Sequence, residues 1–298
     1  MKFLVIGSKG FIGANLTIYL REKGDSVTEC DVHTDYGNEY YIQVSVLDAD
    51  FDHIFSLRPF DICVNCSGAA SVADSFKNQA RDFQLNVTNV QRMLHSLSKY
   101  QPQCRFVNLS SAAVYGNPTA LPLVESMPAH PISPYGYHKK LSELILSQFT
   151  DLHQIQTVSL RIFSAYGEGL KKQIVWDLYH KMKRSSKIEL FGTGNETRDF
   201  IHVQDLVSAI RVVSEQPSFE NTVINVATGS ETTITDLASK FAKALGWEGE
   251  ILFSKNARIG DPDNWRADIS KLVSLGFTPT ISLDTGLKIY AEWAKERF

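Results

Sequence analysis

The sequence has few cysteines, no long apolar run and no marked excess of charge of either sign. Four cysteines in 298 residues are too few for a disulfide scaffold. No apolar run approaches the roughly 20 residues that a membrane-spanning helix needs, and the N-terminal MKFLVIG is too short for a signal peptide. We therefore expect a cytoplasmic protein with reduced thiols and no membrane partner.

The charge balance and the cysteine spacing argue against two further classes of site. A net charge of -3 at pH 7 disfavours nucleic acid as the main partner, although small anions can be bound locally. Cys63 and Cys66 form a C-x-x-C, but they lie in the apolar run DICVNC, which indicates a buried strand. Residues three apart on a strand face opposite sides, so we expect neither a bound metal nor a redox pair there.

Short apolar runs alternate with helical stretches through the first half of the chain. The runs predict strands at 2–7, 26–31, 61–66, 105–111 and 157–163, and the stretches predict helices at 11–23, 81–99 and 135–149. This order predicts a doubly wound α/β fold, in which helices cover both faces of a parallel sheet. From about residue 170 the chain has longer loops and more glycine. We predict a first domain at 1–168 and a smaller C-terminal α/β domain at 169–298, with 200–228 returning in part to the first.

Three glycines spaced three apart follow the first predicted strand and open the first predicted helix. Without side chains, Gly7, Gly10 and Gly13 let the backbone turn tightly and approach a pyrophosphate at the helix N-terminus. Asp31 ends the second predicted strand, 18 residues after Gly13, where a carboxylate accepts hydrogen bonds from an adenosine ribose and repels a 2′-phosphate. No arginine or lysine follows Asp31 in DVHTDYG, so NAD is favoured over NADP. The alternative is that the glycines and Asp31 only form turns.

Hydroxyl and amine groups occur at a strand end and at the start of the helix after it. Ser110 and Ser111 close the strand RFVNLSS, at the sheet edge where open α/β sheets bind ligands. Tyr135 and Lys139 follow Pro134, and at this spacing both side chains lie on one helical face. An ammonium beside a phenol favours the phenolate and lowers the tyrosine pKa. Such a tyrosine can take the proton of a sugar hydroxyl while hydride leaves for NAD, although the spacing alone occurs in many helices by chance.

These motifs together carry a family resemblance. The glycine motif, Asp31, SSAAVYG, SPYGYHK and TRDFIHVQD resemble the extended short-chain dehydrogenase/reductases, specifically the NAD-dependent epimerase/dehydratase family acting on nucleotide sugars. The resemblance covers nearly the whole chain and implies a Rossmann-type fold. It implies that Ser111 hydrogen-bonds the reacting hydroxyl, that Tyr135 is the acid and base, and that Lys139 also holds the nicotinamide ribose. It places the cofactor on Gly7, Gly10, Phe11, Ile12, Gly13, Asp31, Asp48, Ala69, Asn86, Tyr135 and Lys139.

The resemblance also implies which residues hold the substrate, a nucleotide sugar. It assigns Arg198 to the diphosphate, where a planar guanidinium suits paired phosphate oxygens. Arg258 and Asp261, in ARIGDPDNW, match a motif that gives the arginine to phosphate and the aspartate to the nucleotide ribose. Ser164 stands where the family usually has an asparagine that touches the phosphates, and a serine is shorter, with one donor.

One departure from the family narrows the reaction. Members that eliminate water carry an Asp-Glu pair directly after the catalytic serine or threonine, and here these positions are Ala112 and Ala113. We therefore predict an epimerase of a nucleotide-activated hexose, acting at C4 through a 4-keto intermediate. The alternatives are an NAD(P)H-dependent 4-keto-deoxysugar-nucleotide reductase and, from another class, a nucleotide-binding regulator without turnover. The resemblance further implies a homodimer through the helices at 81–99 and 135–149.

Overall fold

The computed structural model describes residues 1–46, 48–256 and 259–298. The strands of this part of the chain are β1 (Lys2–Ile6), β2 (Ser26–Asp31), β3 (Tyr41–Gln43), β4 (Ile62–Asn65), β5 (Arg105–Ser111), β6 (Thr157–Ile162), β7 (Ser164–Tyr166), β8 (Lys187–Leu190), β9 (Thr197–Arg198), β10 (Phe200–His202), β11 (Thr222–Val226), β12 (Thr232–Thr233) and β13 (Glu250–Phe253). Its helices are α1 (Phe11–Glu22), α2 (Phe51–Leu57), α3 (Val72–Lys77), α4 (Gln79–Phe83), α5 (Asn89–Tyr100), α6 (Pro134–His153), α7 (Gln173–Arg184), α8 (Val203–Ser214), α9 (Ile234–Leu245), α10 (Ser270–Ser274) and α11 (Leu283–Arg297). A π-helical turn at Gln84–Thr88 joins α4 to α5, and a 3-10 turn at Ala112–Val114 follows β5. Within these ranges, no helix combines the length and the apolar character needed to cross a membrane.

Seven of the strands form one parallel sheet, whose order is β3-β2-β1-β4-β5-β6-β11. The chain starts at β1 and builds outward to β3, then crosses to the other side of β1 and builds outward from β4 to β11. The order reverses between β1 and β4, and this reversal opens a crevice at the carboxyl ends of the two strands. The predicted doubly wound, Rossmann-type sheet is therefore confirmed.

Helices cover both faces of this sheet, which is why its strands are almost continuously apolar. On one face, α1 and α8 bury side chains such as Leu16, Leu20 and Ile210 in one cluster with the strands. On the other face, α2, α5 and α6 bury a second cluster that includes Ile54 and Leu94. Because both faces are filled, a ligand can reach the sheet only at its ends.

The C-terminal third packs around an apolar cluster of its own. The helices α7, α9 and α11 bury Leu178, Phe241 and Tyr290 next to the parallel pair of β8 and β13. The strand β11 instead lies beside β6 at the edge of the main sheet, and α8 packs on α1. These two elements fall within 200–228, the segment expected to return in part to the first domain. The division of the chain near residue 168 stays a prediction.

The helix predicted at 81–99 is interrupted. It begins earlier, as α4, and the π-helical turn separates it from α5. A π-turn inserts an extra residue into the helical repeat and is frequent at functional sites. Here the turn is mostly polar, with Gln84, Asn86 and Thr88, so an apolar pattern carries little signal of it.

The helix predicted at 135–149 is longer at its C-terminal end. Its start is well defined, because Ser133 Oγ accepts a hydrogen bond from the N–H of Gly136 (3.1 Å) and Pro134 occupies the first turn. Its last turn carries Leu152, which is 70% exposed. The apolar pattern thus ends one turn before the helix does.

Candidate active site

The glycine loop between β1 and α1 is packed so tightly that side chains would not fit. Gly7 has a φ of +82°, and a Cβ there would lie 2.6 Å from the backbone nitrogen of Ser67. A Cβ at Gly13 would lie 2.1 Å from the carbonyl oxygen of Gly7, so α1 rests directly on the loop. Gly10 is the N-cap of α1 and has an extended backbone. The glycines therefore bring the start of the helix to the crevice between β1 and β4.

The start of α1 offers hydrogen-bond donors to an anion. Gly10 caps the helix without a side-chain hydrogen bond, and its first turn holds no acidic residue. The backbone N–H groups of Phe11 and Ile12 belong to this turn, where helix N-termini bind phosphate. In the same loop, the Ser8 hydroxyl is buried without a hydrogen-bond partner in the described part of the chain. These groups fit the pyrophosphate of a dinucleotide.

Asp31 stands at the end of β2, beside the glycine loop. Its carboxylate accepts hydrogen bonds from the backbone N–H groups of Lys9 (2.9 Å) and Val32 (2.7 Å), and it lies 2.7 Å from Nδ1 of His33. Burial by itself raises the pKa of this carboxyl, but the hydrogen bonds outweigh burial and the pKa lies below its ordinary value. The ammonium of Lys9 forms an ion pair with Asp35, with 2.6 Å between Nζ and Oδ2. Asp31 is thus a hydrogen-bond acceptor with a lowered pKa at the carboxyl end of β2.

The loop after β4 is tied to the π-helical turn. The buried Asn86 donates from Nδ2 to the carbonyl oxygen of Ala69 (3.2 Å) and to Asp82 (3.1 Å). Gly68 has a φ of +116°, and a Cβ there would lie 2.5 Å from Oδ1 of Asn86. Asn86 therefore fixes the loop that carries Ala69, one of the residues that the family resemblance assigns to the cofactor.

Asp48, which the family resemblance assigns to the cofactor, lies on the surface beside α5. Its side chain is 90% exposed and forms an ion pair with Arg92 (Nη2 to Oδ1, 3.0 Å). The same guanidinium nitrogen donates to the carbonyl oxygen of Ala49 (2.9 Å). These contacts turn the carboxylate of Asp48 towards α5, and its role toward the cofactor stays a prediction.

Ser111, Tyr135 and Lys139 come together where β5 meets α6. The hydroxyl of Ser111 hydrogen-bonds the phenol of Tyr135 and accepts from the N–H of Ala113 (3.2 Å). The Nζ of Lys139 donates to the carbonyl oxygen of Leu109 (2.8 Å) and lies 5.8 Å from the centre of the Tyr135 ring. The three side chains form one cluster at the carboxyl end of the strand next to β4. A hydroxyl and a phenol with an ammonium nearby can move a proton to or from a bound alcohol.

Burial dominates the ionisation of this cluster. It raises the pKa of Tyr135 to about 12, with the bond to Ser111 acting against it and the charge of Asp82 acting with it. It lowers the pKa of Lys139 to about 8, against the charges of Asp82 and Glu143. The predicted lowering of the tyrosine pKa is therefore not found in this structure, because the loss of water around the buried phenol raises that pKa.

A buried charge network behind the cluster was not predicted. Glu143 accepts hydrogen bonds from Nε and Nη2 of Arg161 (3.0 and 2.8 Å) and from the hydroxyl of Ser110 (2.6 Å). It connects α6 to β5 and β6 directly behind Ser111. Glu143 lies four residues after Lys139, so the helical repeat could have indicated it, whereas its partner on β6 has no local signal in the sequence.

Ser75 on α3 was also missed. Its hydroxyl is fully buried, accepts a hydrogen bond from the backbone N–H of Tyr135 (3.1 Å) and donates to the carbonyl oxygen of Val72 (2.7 Å). The contact fixes the first turn of α6, and with it the tyrosine, against α3. A lone serine in a short helix has no pattern from which this role could be predicted.

The predicted substrate residues lie on the segments beyond β6. Ser164 begins β7 and is half-buried. The half-buried Arg198 donates to the neighbouring backbone carbonyl (2.8 Å), and its guanidinium lies 5.5 Å from the ring centre of Trp265. Burial lowers the pKa of Arg198, and the charge of the exposed Asp261 acts in the opposite direction. Arg258 lies outside the described residues.

The loop that carries Asp261 is fastened to the segment after Ser111. Asn117 Nδ2 donates to Asp263 Oδ2 (2.7 Å), and the N–H of Asp263 donates back to Asn117 Oδ1 (2.9 Å). The indole N–H of Trp265 donates to the carbonyl oxygen of Gly116 (3.0 Å). The C-terminal third thus reaches over to the end of β5, which brings Arg198 and the loop of Asp261 to the end of the sheet where the catalytic cluster lies.

The sheet carries a glycine loop at its switch point, and a tyrosine and a lysine one helical turn apart lie beside a serine. This arrangement is that of the short-chain dehydrogenase/reductases. Comparison with known families gives the particular branch of that class. The model of the NAD dependent epimerase/dehydratase family matches residues 3–227, and the protein belongs to this family. The predictions of the family, of an enzyme and of NAD as cofactor are confirmed.

Three known proteins illustrate the similarity. The UDP-glucose 4-epimerase of Mycolicibacterium smegmatis is 26% identical over 100% of this chain and 99% of its own. The structure of UDP-glucose 4-epimerase from Thermotoga maritima with UDP-glucose is 30% identical, with a TM-score of 0.90 over 99% of both chains. The structure of UDP-glucuronic acid 4-epimerase from Bacillus cereus with UDP-glucuronic acid and NAD is 25% identical, with a TM-score of 0.91 over 100% of both chains. Two of the three are named for 4-epimerisation of UDP-glucose and one for that of UDP-glucuronic acid.

Asp31→Ala combined with Val32→Arg should shift binding from NAD towards NADP. The change removes the carboxylate that repels a 2′-phosphate and adds a guanidinium that can pair with it. We expect the ratio of the two dissociation constants, measured by calorimetry, to move by about tenfold or more, the effect of one charge-assisted hydrogen bond. Val32→Ala, which keeps Asp31, is the control. Wild-type protein that binds NADP as tightly as NAD would show that Asp31 does not select the cofactor.

Proposed function

We propose that the protein is an NAD-dependent epimerase of a nucleotide-activated hexose that inverts C4 through a 4-keto intermediate. The proposal is carried by the cluster of Ser111, Tyr135 and Lys139, which is followed by a turn without carboxylates. Ala112 and Ala113 are buried in that turn, at the positions of the pair that eliminates water in dehydratases. The site can thus oxidise and reduce C4 but has no acid and base for elimination at these positions. The names of the similar UDP-sugar 4-epimerases support the same reaction.

The residues at the crevice fit NAD. The glycine loop and the N-terminus of α1 would hold its pyrophosphate, Asp31 would accept from its adenosine ribose, and Lys139 would bind its second ribose. Bound NAD supplies the acceptor and donor of the hydride, and its positive ring opposes the effect of burial on Tyr135. The fully buried Ser8 hydroxyl, which has no partner in the described part of the chain, is a further donor to the phosphates.

Proton transfer falls to Tyr135. As the phenolate, it takes the proton of the C4 hydroxyl while that carbon is oxidised, and as the phenol it returns the proton while the opposite face of the carbon is reduced. Ser111, which hydrogen-bonds the phenol, also hydrogen-bonds the reacting oxygen of the sugar. Lys139 keeps a cation beside the ring, and its bond to the carbonyl oxygen of Leu109 fixes its position. The proton and the hydride both return to the sugar, so the reaction is an isomerisation without net redox change.

Inversion requires that the keto sugar present its other face while the nucleotide stays bound. We infer that Arg198 holds the diphosphate and that Asp261 holds the nucleotide ribose. The position of Arg198 over the ring of Trp265 supports the first assignment. Arg258 is assigned to phosphate by the family resemblance alone. Anchors on the nucleotide leave the sugar free to turn against Tyr135.

Two assays with excess NADH separate the epimerase from the reductase, one on nucleotide hexoses and one on a 4-keto nucleotide sugar. In the first assay, an epimerase should convert at least one member of a panel of UDP-, GDP-, dTDP- and CDP-hexoses to its C4-inverted product without net loss of NADH. Steady stoichiometric consumption of NADH, with release of one reduced sugar, would contradict the proposal in favour of the reductase. Product analysis over the same panel identifies the nucleotide and the sugar.

We further propose a homodimer formed through α6. Tyr137, Leu141 and Leu144 form a stripe at i, i+4 and i+7 that is 55, 38 and 58% exposed. An exposed apolar stripe on a covered sheet is typical of a helix that packs on a partner. On α5, by contrast, Val90 and Leu94 are buried in the core, so the two predicted interface helices do not contribute equally.

Light scattering at micromolar concentration should give the mass of two chains. Leu144→Lys places a charge in the apolar stripe and should shift the protein towards the monomer. Ile18→Lys is the matched control, because Ile18 is 57% exposed but lies on α1, on the opposite face of the sheet. A strict monomer in the wild type would rule out the dimer.

The state of the cysteines supports a reducing location. All four are free thiols, three of them buried, and burial raises the pKa of Cys63 well above its ordinary value. Thiols of this kind suit the cytoplasm, which we propose as the location. Fractionation that recovers the protein mainly outside the cytoplasm would contradict it.

A further inference from the structure

A second buried pair of titratable side chains lies behind the catalytic cluster. Asp82 on α4 is 1% exposed and His138 on α6 is 8% exposed, and Oδ1 of the aspartate lies 2.5 Å from Nδ1 of the histidine. The ring of Phe83 packs edge-on against His138, with centroids 5.3 Å apart. The proton transfer proposed above uses neither residue. Because a buried carboxylate is costly unless its charge is balanced or used, the pair needs an explanation.

The pair faces the residues that move the proton. On α6, His138 lies three residues after Tyr135 and directly before Lys139, so one helix carries all three. Asp82 accepts a hydrogen bond from Nδ2 of Asn86 (3.1 Å), and its other oxygen is buried without a hydrogen-bond partner in the described ranges. The charge of Asp82 raises the pKa of Tyr135 and opposes the lowering of the pKa of Lys139. The carboxylate therefore acts on both catalytic groups at once.

The other titratable groups around Lys139 contribute less net charge. Glu143 is paired through two hydrogen bonds with Arg161, so its charge is balanced by a guanidinium. Burial raises the pKa of the Cys66 thiol to about 12, and the thiol is uncharged at neutral pH. Asp82 differs from Glu143 because its partner is the imidazole of His138, which balances the carboxylate only if it is protonated.

We propose that Asp82 and His138 form a positioning pair, which holds a buried carboxylate against the turn of α6 that carries Tyr135 and Lys139. His138 holds that carboxylate against α6 by its short hydrogen bond. The inference rests on the proposed function, because it concerns the same proton transfer. The pair sets the pH range over which the tyrosine works and touches neither the sugar nor the cofactor.

Asp82→Asn tests the pair by removing its charge while keeping its shape. The pKa of Lys139 should fall by on the order of one pH unit, as expected for the loss of one nearby charge at an effective dielectric constant of about 20. NMR of labelled lysine measures that pKa directly, with Lys139→Met identifying the resonance. Both limbs of the pH–rate profile should move in the same acidic direction, because the charge raises both pKa values. Asp82→Ser, which is smaller and also uncharged, should give the same shift.

The controls separate electrostatics from folding and from the assigned reaction. Asp74→Asn removes an exposed carboxylate of α3, 68% exposed and paired with Lys77, and should leave the pKa of Lys139 unchanged. The NMR titration needs no substrate, so it reports on the pair even where no hexose is turned over. An unchanged Lys139 pKa in both Asp82 variants, or the loss of folded protein in both, would overturn the proposal and make Asp82 a purely structural residue.

Discussion

Tyr135→Phe should lower the epimerisation rate by roughly 10²–10⁴, the usual contribution of a positioned acid and base. Bound NAD should survive purification of this variant, because phenylalanine keeps the ring and removes only the hydroxyl, whose proposed role is proton transfer. The ring fits the same space, and only the bond to Ser111 is lost from the structure. Rate is measured by product analysis, and cofactor content by the absorbance of the denatured protein.

Tyr100→Phe is the matched control for this variant. The phenol of Tyr100 lies at the end of α5, 40% exposed, where it bonds Asp52, and its loss should leave the rate unchanged. A Tyr135→Phe enzyme with nearly wild-type turnover would exclude the tyrosine as acid and base. A protein without turnover in either form, on every sugar of the panel, would instead favour the regulator.

The parts of the site that could be predicted are those that local geometry determines. Gly7, Gly10 and Gly13 lie close together at the turn from β1 into α1, where a Cβ at Gly13 would meet the carbonyl oxygen of Gly7 and a Cβ at Gly7 would meet the backbone of Ser67. Tyr135 and Lys139 share a face of one helix because four residues make about one turn. The strands were predictable because a sheet covered on both faces requires continuous apolar runs.

The parts that could not be predicted depend on contacts between distant segments. The pairing of Arg161 with Glu143 joins β6 to α6, and that of Asp82 with His138 joins α4 to α6. Neither pair has a fixed spacing in the chain, so no motif shows it. The pKa of Tyr135 was mispredicted for a related reason. A helical repeat gives the distance to a lysine but not the loss of water around the phenol.

Lys139→Met should abolish most turnover and also release NAD during purification. The change removes the cation beside Tyr135 and the donor proposed to bind the cofactor ribose. The Nζ of Lys139 is held by the carbonyl oxygen of Leu109, 2.8 Å away, and methionine has no group to replace it. We expect a rate loss at least as large as that of Tyr135→Phe, together with a cofactor content well below one per chain.

A measurement of stability can distinguish the loss of this ammonium from a general loss of folding. Burial lowers the pKa of Lys139 to about 8, which means that the folded protein holds this charge less favourably than water does. Replacing the ammonium by an apolar side chain of similar length removes this cost and also removes the hydrogen bond to Leu109. Because these two effects oppose each other, the free energy of unfolding should change little. Lys140→Met is the control, because the neighbouring Nζ donates to the carbonyl oxygen of Ala129 (2.9 Å), away from the cluster. Retained NAD in Lys139→Met would contradict the anchoring role, whereas equal losses in both variants would point to α6 as a whole rather than to this ammonium.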